Sequence, residues 1–101
     1  MYSENEIRNS IKSRQKLEIN YDNEGARIVA PHILFIDSTN DKLIDAYQDC
    51  GFSKHPESIP GWRTFNILKI TQLKTLGETF NIADGYNPLN TDKYRVIIDK
   101  I

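Results

Sequence analysis

"ARIVAPHILF", residues 26–35, sets a proline and a histidine inside the most apolar stretch of the chain. Proline brings no N–H to a sheet ladder and belongs at an edge, a bulge or a bend. The stretch is also apolar at both alternating sets of positions. A strand of that kind is either covered on both sides, or bends sharply and changes partner along its length. Small barrels turn their strands at bulges, where ladder bonds are already interrupted. Pro31 is therefore read as a corner in a curled antiparallel wall.

The flanking segments fit such a wall. Upstream, "SENEIRNSIKSRQ" places Ser3 and Glu6 at capping-box spacing and Ile7 and Ile11 one helical turn apart, which predicts a short surface helix. "KLEINYD" alternates Leu17, Ile19 and Tyr21 against Glu18, Asn20 and Asp22, a half-buried strand, and "NEG" turns it with Gly25 at positive φ. Downstream, "DSTND" is a turn and "KLIDAYQ" a third strand. "DCGFSKHPESIPG" is a loop, and "WRTFNILKI" is a fourth strand carrying Arg63, Phe65, Ile67 and Lys69 on one side. "TQLKTLGETF" reads equally as a continuing strand or a short helix, and "KYRVIIDKI" closes the chain as a strand after a loop. The expected fold is mainly β with one N-terminal helix: a small SH3-like or Sm-like antiparallel barrel of about five strands. It forms a single domain over 1–101, with the helix in 1–15, the barrel core in 16–80, and a C-terminal loop and strand in 81–101.

Composition narrows the function classes. The chain has 101 residues, 39% hydrophobic and 27% charged, enough for one core and too apolar for a disordered tail. No apolar run approaches the roughly 18–20 residues that cross a bilayer, and "MYSENEIRNS" lacks the layout of a secretory signal, so the expected location is cytoplasmic. The single cysteine, Cys50, suits a reducing compartment. A net charge of −1 argues against a generic polyanion binder. The charge is uneven, however: residues 61–80 carry Arg63, Lys69 and Lys74 against Glu78 alone, so a local basic patch is expected.

The order of these signposts resembles the WYL domain, a bacterial and phage regulatory module. Tyr21 ends the first strand, and Arg27, Val29, Pro31, His32 and Leu34 follow the family's R-x-V-x-P-H-x-L pattern. Ala46 and Tyr47 precede an insertion, after which come Arg63, Phe65, Ile67, Lys69 and Ile70. The resemblance covers roughly residues 15–80. There are departures. Lys42-Leu43-Ile44 stands where the naming tripeptide would fall, Asn66 replaces the second basic residue of the fourth strand, and Leu68 replaces its acidic one. The segment before residue 17 holds one helix, too little for the helix-turn-helix that usually precedes the domain.

The resemblance implies an SH3-like, non-enzymatic sensor that binds a nucleotide or short single-stranded nucleic acid in a basic and aromatic pocket. Arg63 supplies a bidentate fork to a phosphate and Tyr47 a stacking surface, with Lys69, His32 and Asn66 nearby. Lys69 lies about 20 Å from Arg63 along an extended strand at about 3.3 Å per residue, so it joins that pocket only if the barrel curls strongly. Expected partners are the ligand itself, a protein carrying a DNA-binding domain, or a second copy of the chain, with no membrane. The other reading is a protein-interaction module using sheet edges and Trp62, which either anchors a partner or closes the barrel. No cofactor or metal is expected. Cys50 and His55 are two ligands where zinc needs three or four. Asp37, Asp41, Asp45 and Asp49 recur every four residues across a turn and a strand, which reads as a solvated acidic edge rather than a catalytic pair.

Overall fold

A computed structural model describes residues 4–101; Ser3, half of the expected capping box, lies outside the described residues. Strand β2 (Ala26–Ile36) organises the sheet. One of its edges pairs throughout with β3 (Lys42–Gly51). Its other edge pairs first with β1 (Gln15–Tyr21), over Ala26–Val29, and then with β6 (Val96–Lys100), over Ile33–Ile36. Pro31 stands where the first ladder has ended and the second has not begun, which is where a missing N–H costs least. On the β3 side Pro31 faces Ala46 and Ile33 faces Asp45, leaving His32 as the extra residue of a bulge.

The bulge reverses which residues face inward. Before it, Val29 joins the barrel core; after it, Leu34 does, at an odd separation that an unbroken strand could not allow. That core also takes Leu17 and Ile19 from β1, Ile44 and Ala46 from β3, Phe65 from β4 (Gly61–Asn66) and Ile70 from β5 (Ile70–Thr79). Helix α1 (Glu4–Ser13) adds Ile7 and Ile11, the pair its periodicity marked, and both are fully buried. The opposite face of β2 carries Ala30, His32, Ile33 and Phe35, which are also buried. They are covered by the segment that follows β5. Phe80 and Tyr86 pack on His32, and Tyr94 packs edge-on against Phe35 at 4.7 Å between ring centroids. Double-sided apolarity thus has two covers, the barrel interior and the C-terminal segment.

The strand order is β4-β3-β2-β1-β5, with β6 beside β2, and all pairings are antiparallel. Among the described residues there are six strands rather than about five, because "WRTFNILKI" is not one strand and "TQLKTLGETF" is one. The chain leaves β4 at Asn66, makes a 3₁₀ turn over Ile67–Lys69, and enters β5, which runs back along β1. Asn66 explains the break: its side-chain oxygen accepts the Leu68 N–H at 3.0 Å, capping the turn. Two bonds link the ends of the small barrel-like sheet here. The Tyr21 hydroxyl accepts the Asn66 N–H at 3.0 Å, and the Asp22 N–H donates to the Lys69 carbonyl at 2.8 Å. Among the described residues no helix is long and apolar enough to cross a membrane.

Candidate functional site

The curl at residues 66–70 decides where the basic residues meet. Arg63 lies opposite Ala46 in the β3–β4 ladder, on the inward side near the open end of the barrel. Lys69 sits on the 3₁₀ turn instead of farther along a strand, and the turn brings it back to the same end. Both line one surface depression of about 250 Å³, together with Tyr21, Arg27, Lys54 and the carboxylates of Asp22 and Glu24.

Arg27 forms its floor. It pairs with Ile19 and has the same orientation as Val29, so β2 directs it into the barrel, and only 7% of its surface remains exposed. Its guanidinium lies 5.5 Å from the centre of the Tyr21 ring, 5.3 Å from Phe52 and 5.4 Å from Phe65. Its polar contacts are sparse. Nη1 donates to Gln48 Oε1 over a long 3.4 Å, and Nη2 is 3.6 Å from Glu24 Oε1, an ion pair without a hydrogen bond. Nε is buried and has no partner. Burial pushes the guanidinium below its ordinary range and nearby Arg63 pushes it further, while Glu24 pulls it back up. It remains charged. A buried cation with so little compensation is costly unless another anion supplies it.

The rim is better tied down. Arg63 donates Nη1 to the Trp62 carbonyl at 2.8 Å and Nη2 to the Ser58 hydroxyl. Glu24 also forms an ion pair with Lys54, at 3.2 Å, so one carboxylate is shared by two cations. Asp22 and Asn23 both adopt positive φ in the β1–β2 turn, and Gly25, at φ +139°, lets Phe52 close against it. Four cationic side chains therefore surround the depression against two carboxylates.

The other expected site residues lie elsewhere. Tyr47 is opposite Trp62, while Arg63 is opposite Ala46, so Tyr47 and Arg63 project from opposite faces of the same ribbon. They do not share a cavity. Tyr47 instead borders a separate hollow with Lys16, Asp49 and Phe80, its ring 5.7 Å from that of Trp62. His32 is fully buried: Nδ1–H donates to the Ala30 carbonyl at 2.7 Å, and Nε2 accepts the Ala83 N–H at 3.1 Å. It fastens the C-terminal segment. Asn66 is occupied as a turn cap. Trp62 closes the outer face, with Nε1 donating to the Asp84 carbonyl at 2.7 Å and its ring edge-on to His32.

The expected acidic edge is corrected at Asp45, while Asp41 is exposed. Asp45 is 4% exposed, accepts the Thr64 hydroxyl at 2.7 Å and the Tyr94 hydroxyl at 2.6 Å, and forms an ion pair with the Lys93 ammonium at 2.8 Å. Burial, then the bond to Asp45, pushes the Tyr94 phenol well above its ordinary value. Cys50 is a free, exposed thiol, and no group of three or more His, Cys, Asp or Glu among the described residues is placed to hold a metal.

The residues that sequence reasoning passed over are Arg27 and Glu24. Arg27 shares the parity of Val29 on an apolar strand, and that was the available signal for an inward-facing cation. The chain matches no protein-family model, no curated protein and no solved structure.

Proposed function

We propose that the chain is a non-enzymatic, ligand-sensing regulatory module of the WYL type, whose barrel mouth binds a nucleotide or a short single-stranded nucleic acid. The observation that carries this reading is the convergence of Arg63, on β4, and Lys69, on the 3₁₀ turn that follows, over a buried Arg27 that lacks a full set of partners. Phosphate oxygens are the acceptors that arginine forks fit best, and the Tyr21 ring on the same rim offers an aromatic surface beside them. Regulation follows from differential affinity: a ligand favours whichever conformation or assembly presents the cationic mouth, and a cytoplasmic partner carrying a DNA-binding domain would read that shift.

The test is fluorescence anisotropy of labelled short single strands, with a nucleotide panel in competition, across a salt series. Affinity should fall as salt rises, and Arg63→Ala should weaken binding about tenfold or more, as expected for a lost charge-assisted bond. Binding that ignores both salt and Arg63, or no binding at all, refutes the reading. The alternative reading, a protein-interaction module using sheet edges and Trp62, predicts a stable dimer or partner complex with no nucleotide response, which size-exclusion chromatography with light scattering reads directly.

A further inference from the structure

Resting on that reading, we infer that the barrel mouth is selective for a terminal phosphate, a phosphomonoester, over the phosphodiester of an internal nucleic-acid linkage. Two observations lead there. The first is the unpartnered edge of Arg27, buried at the floor of the depression. Nε has no partner, and Nη2 beside it only approaches Glu24, at 3.6 Å. Nε and Nη2 together form a planar two-donor fork, spaced for two oxygens of one oxyanion. The fork is rigidly held, since the guanidinium lies against three aromatic rings and Nη1 is turned toward Gln48.

The second observation is the charge balance. Arg27, Lys54, Arg63 and Lys69 outnumber Asp22 and Glu24 by two charges around the depression. A phosphomonoester carries about −1.5 to −2 near neutral pH and three terminal oxygens. A diester carries a single charge and two free oxygens. Only the monoester can occupy the Arg27 fork with two oxygens and still offer a third to Arg63 or Lys69 on the rim. A free mononucleotide and the phosphorylated end of a single strand share this group, so either source satisfies the site.

The experiment is isothermal titration calorimetry of the full chain at fixed salt with five probes: inorganic phosphate, a nucleoside monophosphate, the cyclic phosphodiester of the same nucleoside, and one oligonucleotide with and without a terminal phosphate. The monophosphate should bind about tenfold or more tightly than its cyclic diester, and the phosphorylated oligonucleotide should exceed its unphosphorylated twin by a similar factor. Arg27→Lys keeps the charge and removes the fork, so it should erase the preference while leaving binding measurable; circular dichroism and thermal unfolding check its fold. If that variant does not fold, the wild-type panel still decides. Equal affinity for monoester and diester, with binding still lost in Arg63→Ala, overturns this inference and leaves the anion-binding reading standing. Absence of binding by every probe overturns both. A preference confined to the oligonucleotide pair identifies strand ends as the source, and one confined to the mononucleotide identifies the free metabolite; each supports the monoester fork.

Discussion

Mild acid should loosen the C-terminal cover through His32, and the slope can be worked from its contacts. The ring is fully buried, and its two nitrogens need opposite roles: Nδ1 donates to Ala30 while Nε2 accepts from Ala83. Only the neutral Nδ1–H tautomer does both. Protonation sets an N–H on Nε2 against the Ala83 N–H and places a charge among the rings of Trp62, Phe80 and Tyr86. Burial accordingly holds the His32 pKa below its ordinary value; the Ala30 carbonyl and Asp45 oppose this and Arg14 reinforces it. A folded-state value below the unfolded one means that the unfolded chain binds the extra proton first. Stability is therefore complete above about pH 6.5 and falls as pH drops toward the folded-state value, by at most about 1.4 kcal/mol per pH unit. Against the 5–15 kcal/mol typical of a domain, that loss is readily measured. The assay is urea unfolding at several values between about pH 7.5 and about pH 5, for wild type and His32→Gln. The variant should be less stable at neutral pH and lose the acid slope of this window. Equal slopes in the two proteins, or an NMR titration of His32 at the ordinary imidazole value, would refute the reasoning.

Two further substitutions probe the frame around the sites. In Gly51→Ala the new Cβ would lie 2.4 Å from the Ala26 carbonyl oxygen and 2.7 Å from the Arg27 Cα, at φ +102°, with backbone on both counts. Thermal or urea unfolding should show a loss of at least about 2 kcal/mol. Asp45→Ala removes the shared acceptor of Thr64, Tyr94 and Lys93 and should cost about 3 kcal/mol. A double-mutant cycle with Tyr94→Phe should return a coupling of about 1 kcal/mol or more, and additivity would show that the network is not cooperative.

What the sequence disclosed depended on whether the deciding interaction was local. The spacing of Ile7 and Ile11 marked the buried face of the helix, and Gly25 marked the first turn, because each depends on a few neighbouring residues. Pro31 could be placed at a corner because its lost N–H is a property of the residue itself. "WRTFNILKI" misled because alternation continues through Asn66 in the sequence, while the chain is turned by that residue's side chain and by Tyr21 from another strand. The site suffered most. Whether Tyr47 and Arg63 share a face depends on the register between β3 and β4, and each strand's own alternation is silent on that. Asp45 looked solvated because its partners, Tyr94 and Lys93, lie 49 and 48 residues downstream.

One extra residue accounts for much of this arrangement. Without the bulge at His32, strict alternation would put Val29, Ile33 and Phe35 on one face of β2 and Ile28, His32 and Leu34 on the other. The barrel would then have to enclose Phe35, and Leu34 would turn outward. With the bulge, Val29 and Leu34 both enter the core, while His32, Ile33 and Phe35 turn to the C-terminal segment. The same device lets the near half of β2 keep its inward parity up to Arg27, at the open end where the core gives way to the depression. Gln48, fully buried on β3, secures that end: Nε2 donates to the Cys50 and Phe52 carbonyls while Oε1 faces Arg27. The cation at the mouth is therefore held by the sheet and a neighbouring amide, and its buried Nε is left without a partner. A side chain positioned by a ladder and three rings has little freedom to turn away in search of water, so its buried Nε stays unpartnered at the floor of the depression.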